Sequence, residues 1–134
     1  MEIAVGMTFT ASTTVDANNT ARAVGSGTVD VFATPMMLAL MEHAAVQCIA
    51  ACLPEGQTSV GTQINISHSD ATPIGMRVTA TATVREVDRR RIEFDVVMED
   101  EVGEIGRGMH TRFLVNSERF LQKAQAKADR ITER

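Results

Sequence analysis

The chain has 134 residues, a length at which one compact domain is the usual outcome and roughly two thirds of the unfolded surface is buried. It is 44% hydrophobic, 22% charged and 4% aromatic with neither Trp nor Tyr, so its core must be filled by Val, Ile, Leu, Met and Ala. The formal net charge of -4 argues against a nucleic-acid partner, which would need clustered Lys and Arg to release counterions from phosphates.

The N-terminal MEIAVGMTF carries an acid where a secretory leader has basic residues, and it lacks a long apolar stretch, so a cytoplasmic protein is expected. From Gly6 to Val15, Met7, Phe9, Ala11 and Val15 alternate with Thr8, Thr10, Ser12 and Thr14, the period of a half-buried strand. Residues 16–34 hold Asn18, Asn19, Gly25 and Gly27, and read as a turn, a short strand and then a flexible connection able to serve as a lid.

Pro35 to Leu53 is the least polar stretch, rich in Ala, Leu and Met, with Pro at the permitted first position and Pro54 just beyond the end. A helix of this length invites a membrane reading, but Glu42, His43 and Gln47 in its middle make that costly. A central helix wrapped by a sheet fits better. Cys48 and Cys52 lie four apart within it, without further ligands at metal-site spacing, and read as small core residues in a reducing cytosol.

Alternation resumes from Gln57 to His68, with Thr58, Val60, Thr62, Ile64, Ile66 and His68 assigned to one face. A turn through Asp70, Pro73 and Gly75 leads to a strand over Met76 to Val87. A tight basic connection, Asp88 to Arg91, then joins it to Ile92–Glu99, and an acidic turn containing Gly103 leads into Ile105–Asn116. These last three strands predict an antiparallel meander. The tail from Ser117 is polar and helix-prone. One α+β domain over 1–134 is the expectation, with an apolar helix packed on a curved antiparallel sheet.

Several side chains in this frame carry chemistry. Glu42 is a carboxylate in an apolar helix; it is either catalytic or part of a solvent-facing strip with His43 and Gln47. Thr34, before Pro35, reads as a helix N-cap, and the same position sets a hydroxyl at the positive end of a helix dipole. His68 ends a strand on the apolar face and is either a general base or a satisfied structural histidine. Gly61 interrupts a strand, a sign of a bulge or close approach that frees an amide for a carbonyl. His110 takes the other parity of the last strand, with Gly106, Gly108 and Arg112, and is the weaker candidate. Arg89, Arg90 and Arg91 form a solvated turn whose charge would suit the phosphates of coenzyme A. The three histidines lack metal-ligand spacing, so neither metal nor other cofactor is expected.

Four segments together resemble the fluoroacetyl-CoA thioesterase family: VFATPMMLALMEHAAV from Val31, SVGTQINISHSDATPIGM from Ser59, VREVDRRRIEF from Val84 and DEVGEIGRGMHTRFLV from Asp100. The resemblance implies a hotdog fold, a dimer whose sheets join, or a dimer of such dimers, and hydrolysis of an acyl-CoA thioester. It also implies that Thr34, Glu42 and His68 are catalytic and that Gly61 and Arg112 hold the substrate. Thr34 and Glu42 stand eight residues apart on one helix, roughly 12 Å of rise, so they cannot touch within one chain. Either His68 and substrate lie between them, or the site mixes two chains. The nucleophile is Thr34, Glu42 or a water directed by them. The match is poorest from Asp16 to Val31, where fluoroacetate-specific members carry a longer, phenylalanine-bearing lid and this chain has only Phe32 at its end. A short or medium acyl-CoA is therefore the expected substrate. The competing reading is a non-catalytic dimeric binding module for coenzyme A or a small acyl ligand; a hotdog hydratase ranks lower, because its tighter Asp and His motif is missing.

Overall fold

The computed structural model describes residues 1–132. Its elements are β1 (Thr8–Thr14), α1 (Ala21–Val24), α2 (Thr34–Ala50), β2 (Gln57–His68), β3 (Arg77–Asp88), β4 (Arg91–Asp100), β5 (Glu104–Asn116) and α3 (Ser117–Thr132). The five strands form one antiparallel sheet in the order β1-β3-β4-β5-β2, so the meander β3-β4-β5 is its middle and β2 is an edge. The sheet curves around α2 in the α+β hotdog arrangement, with the helix lying chiefly across β1 and β3.

Period-two burial makes the middle strands. Val78, Ala80, Ala82 and Val84 of β3, with Ile92, Phe94, Val96 and Met98 of β4, are buried and face the helix. On the other face, Thr8 and Thr10 of β1 pair their hydroxyls with Thr83 and Thr81 at 3.2 and 2.9 Å. α2 turns Met37, Met41, Ala44, Ala45 and Ile49 inward; the two small alanines let the helix backbone approach the sheet closely. No helix among the described residues is long and apolar enough to cross a membrane. Both cysteines are free thiols. Burial pushes the Cys48 thiol up from its ordinary value, which favours the unreactive protonated form.

Three expectations need correction. α2 begins at Thr34 and ends at Ala50, followed by a turn, so it is shorter than the apolar run to Leu53 suggested. The connection before it holds a one-turn helix, α1, capped by the Thr20 hydroxyl on the Ala23 amide at 3.2 Å. Phe32 is buried in the core and bridges to Thr20 rather than ending a loose loop. The third correction concerns β2: its pairing with β5 shifts between Gly61 and Gln63, leaving Thr62 as an extra residue. That bulge inverts the parity, so Ser59 and Gly61 before it share the helix-side face with Ile64, Ile66 and His68 after it. Thr58 and Val60 belong to the other face.

Gly106 and Gly108 on β5 allow the sheet to bend here. A Cβ on Gly108 would sit 2.1 Å from the Asn65 carbonyl oxygen, and one on Gly106 would meet the Ser67 carbonyl oxygen at 2.4 Å and Met37 Cε at 3.0 Å. Gly108→Ala should therefore destabilise by about 1–3 kcal/mol through forced backbone displacement, read as a lowered denaturant midpoint. Gly103→Ala, where a Cβ meets nothing within 4 Å, should stay within about 0.5 kcal/mol of the unmodified chain.

Candidate active site

At the start of α2 the backbone cap is Ala33, with no side-chain cap bond, and Thr34 is the first helical residue. The Thr34 hydroxyl does not cap the helix as the sequence suggested. Pro35 brings no amide to the first turn, so less capping is needed there, and the hydroxyl turns to β2, where Thr34 Oγ1 and His68 Nδ1 are 2.6 Å apart. The other ring nitrogen, His68 Nε2, is buried without a hydrogen-bond partner among the described residues. Beside the pair opens a cavity of about 310 Å³, walled by Ala21, Val31 and Phe32 on one side and by Ser69, Asp70 and Ala71 on the other.

The second cluster lies two turns along α2. Arg112 Nη1 donates to Glu42 Oε2 at 3.3 Å and to His110 Nε2 at 3.1 Å. Its Nε donates to Ser59 Oγ at 2.8 Å and its Nη2 to the Ser59 carbonyl at 3.0 Å. His110 is 1% exposed and its Nδ1 lies 2.8 Å from the Gln63 carbonyl oxygen, which can only accept. The proton is thus on Nδ1, and Nε2 offers Arg112 a lone pair. Burial pushes His110 below its ordinary value and the Arg112 cation lowers it further, against the pull of Glu42. Burial also lowers Arg112, and Glu42 opposes the fall. Gly61 completes the cluster: a Cβ there would stand 2.7 Å from Glu42 Oε2 and 3.2 Å from Arg112 Nη1.

The five residues singled out from the sequence therefore fall into two groups, Thr34 with His68 and Glu42 with Gly61 and Arg112. His68 does not bridge Thr34 to Glu42 within the chain. Glu42 is neither wholly inside nor on a free strip; its side chain is 46% exposed and tied to Arg112 on its inner side, while His43 and Gln47 face solvent. His110 is a correction: the parity it shares with Gly106, Gly108 and Arg112 is the helix-facing one, and it stands at the centre of the second cluster. The signal was its company, because two glycines beside a histidine and an arginine on one strand face mark a surface closely covered. Among the described residues no three His, Cys, Asp or Glu groups gather to hold a metal ion.

Comparison with known proteins gives this geometry its relatives. The model of the family described as fluoroacetyl-CoA-specific thioesterase matches residues 15–118. The chain belongs to that family. It is a thioester hydrolase, and the binding-module reading gives way. The fluoroacetyl-CoA thioesterase of Streptantibioticus cattleyicolor is 44% identical over 98 residues, 73% of this chain and 70% of that protein. A crystal structure of a variant fluoroacetyl-CoA-specific thioesterase in complex with fluoroacetate and CoA superposes with a TM-score of 0.84 at 39% identity, covering 88% of this chain and 99% of that one. A hot-dog-like protein from Thermanaerovibrio acidaminovorans, 24% identical, shares the fold with a TM-score of 0.84 over 92% of this chain and 91% of its own.

In this thioesterase His110 ties the Thr62 bulge, through Gln63, to the Arg112 and Glu42 pair. A histidine whose folded value lies below its unfolded one confers stability that is whole above the ordinary histidine range and is lost as pH falls through the lower folded value. His110→Asn keeps a donor for Gln63 but removes both the titration and the acceptor for Arg112. It should lose about 1–3 kcal/mol at pH 8 and show a flatter decline in denaturant midpoint from pH 7 to pH 5 than the unmodified protein.

Proposed function

We propose that this enzyme hydrolyses short or medium acyl-CoA thioesters at a site shared between the two subunits of a dimer. The observation that carries the proposal is the 2.6 Å contact between Thr34 Oγ1 and His68 Nδ1 beside an open cavity, with His68 Nε2 buried and unpartnered among the described residues. A hydroxyl held by an imidazole is a nucleophile with its base. A buried ring nitrogen without a partner loses hydration unless something fills the place.

The edge strand supports a partner chain as that something. β2 is 12 residues long, lies at the sheet edge and contains neither a charged residue nor a proline, the devices that otherwise keep an edge from pairing. Gly61 and His68 are seven residues apart along it, roughly 20 Å. Two copies of β2 pairing antiparallel about a two-fold axis at Asn65, with Thr62 as the extra residue, would bring His68 of one chain opposite the partner's Gly61. The half-exposed carboxylate of the partner's Glu42 would then come to His68 Nε2. Each dimer would hold two such sites, and dimers of dimers leave them intact.

In this reading His68 takes the Thr34 proton as Oγ1 attacks the thioester carbonyl. The oxyanion forms at the partner's Gly61 amide, and the partner's Glu42, held by its arginine, steadies the imidazolium. Collapse breaks the carbon–sulfur bond; the CoA thiolate leaves and takes the proton from His68. Water, activated by the same imidazole, then releases the carboxylic acid and restores Thr34. The relative from Streptantibioticus cattleyicolor bears the name fluoroacetyl-CoA thioesterase, and a related structure contains fluoroacetate and CoA. For this chain the cavity of about 310 Å³ behind a one-turn helix supports a small acyl group without a requirement for fluorine. The free Cys48 and Cys52 support a reducing, cytoplasmic setting.

Thiol release from acetyl-, fluoroacetyl-, branched and aromatic acyl-CoA esters tests the chemistry. Thr34→Ala, Glu42→Ala and His68→Ala should each lower kcat/KM by roughly 10²–10⁴-fold, and unmodified turnover in His68→Ala would exclude the mechanism. The shared site has a sharper test. Mixing the inactive His68→Ala and Glu42→Ala proteins after subunit exchange should restore about a quarter of the unmodified activity, since half of the dimers are mixed and one of their two sites is intact. No restoration, or a monomer by light scattering, would place both groups in one chain.

A further inference from the structure

We infer that His110 is a positioning residue for the hydrolysis: its ring fixes the Arg112 guanidinium, and through it the Glu42 carboxylate that serves the partner's His68. The inference rests on the reading above, in which Glu42 steadies the imidazolium, and adds what keeps that carboxylate in place although its side chain is 46% exposed. Among the described residues the one hydrogen-bond donor to Glu42 is Arg112 Nη1, at 3.3 Å. A half-exposed glutamate with a single donor is held only as firmly as the donor itself.

The donor is held on every side. Arg112 Nε and Nη2 are both spent on Ser59, which sets the plane of the guanidinium and turns Nη1 toward α2. The two hydrogens of Nη1 need two acceptors; His110 Nε2 takes one at 3.1 Å and Glu42 takes the other. Without the ring's lone pair one buried N–H would be orphaned, and cation and carboxylate would both move to satisfy it. The ring cannot turn away, because Nδ1 donates to the Gln63 carbonyl at 2.8 Å and Phe94 stacks on it with ring centroids 6.2 Å apart. A Cβ on Gly61 would stand 3.1 Å from His110 Cε1 and 2.7 Å from Glu42 Oε2. Imidazole and carboxylate therefore lie against the same short piece of β2 backbone, the one whose amide receives the oxyanion in the reading above.

Protonation reverses the arrangement. An imidazolium has no lone pair for Arg112, so two cations would face each other at 3.1 Å, and the new Nε2 hydrogen would draw on Glu42 Oε2, 4.0 Å away. The charged groups that face the ring are Arg112 from β5 itself and Glu42 from α2; β2 presents the Gln63 carbonyl and β4 the Phe94 ring. Burial first, and Arg112 with it, keep the ring neutral against the pull of Gln63 and Glu42. The positioned state thus belongs to neutral and alkaline solution and is lost as pH falls through the lowered folded value.

Steady-state thiol release, on protein shown to be folded by circular dichroism, separates this role from a merely structural one. His110→Asn keeps the donor for Gln63 and loses the acceptor for Arg112; it should lower kcat roughly 10–100-fold at pH 8 with KM within about twofold. His110→Gln sets an amide oxygen near the place of Nε2 and does not titrate; it should recover kcat to within about threefold of the unmodified enzyme. The acid limb of log kcat should approach a slope of about two in the unmodified enzyme, one proton at His68 and one at His110, and about one in His110→Gln. In a Glu42→Ala background, His110→Asn should cost less than about twofold more, since it acts through that carboxylate. Unchanged kcat in His110→Asn, equal loss in both His110 variants, or a full added loss in the double variant overturns the role. Where His110→Asn does not fold, His110→Gln decides: recovered kcat with the one-proton limb supports the role, and lost kcat or a two-proton limb overturns it. Unmodified turnover in Glu42→Ala would sink the reading of Glu42 instead, whereas a crippled Glu42→Ala beside a fully active His110→Asn strikes the inference alone.

Discussion

A guanidinium taken out of water between a sheet and a helix is tolerable only when every arm finds a partner, and Arg112 meets that demand with Ser59, His110 and Glu42. Much of the fold's detail follows from this one requirement. Ser59 must face inward, so β2 begins in one parity. Glu42 must come close to the strand, so Gly61 has no side chain. His110 must present a lone pair, so its Nδ1 proton needs a carbonyl, and Gln63 supplies it from just beyond the extra residue. The bulge, the glycine and the histidine are consequences of one buried charge.

The family membership gives that arrangement a purpose without assigning each atom. A hydrolase needs an attacking group, a base and a place for negative charge, and the chain carries such groups at two ends of the same strand. Thr34 and His68 form a finished pair. Glu42, Gly61 and Arg112 form another, facing a half-open surface. The uncharged edge of β2 lies between them, so the feature that would unite the clusters is also the fold's exposed backbone ladder.

Much of this was legible in the sequence because the relevant signals are local. Alternation in β3 and β4 is carried by residues buried on one face only, and the apolar run of α2 is bounded by prolines. Five candidate residues were named, and the structure pairs four of them directly, Thr34 with His68 and Glu42 with Arg112, with Gly61 against the latter pair. What escaped was non-local. Gly61 marked a bulge or a close approach, yet the faces of β2 were assigned as though its period never broke. His110 was ranked behind His68 because it takes the other parity of β5, with Gly106, Gly108 and Arg112, and that parity is the one that faces the helix. Thr34 was read as a cap because hydroxyls before helices usually are, and only tertiary structure brings a histidine 34 residues away within bonding distance.

The extra residue at Thr62 also divides the chain into parts that tolerate drift and parts that do not. The turns at Arg89–Arg90 and at Gly103 connect neighbouring strands at the surface, and loops of that kind can lengthen over evolutionary time without disturbing what they join. The stretch from Ser59 to His68 has no such freedom. Removing or adding a single residue would exchange inside for outside along the rest of the strand, so this segment is spelled in fixed length even where its individual letters are free to change.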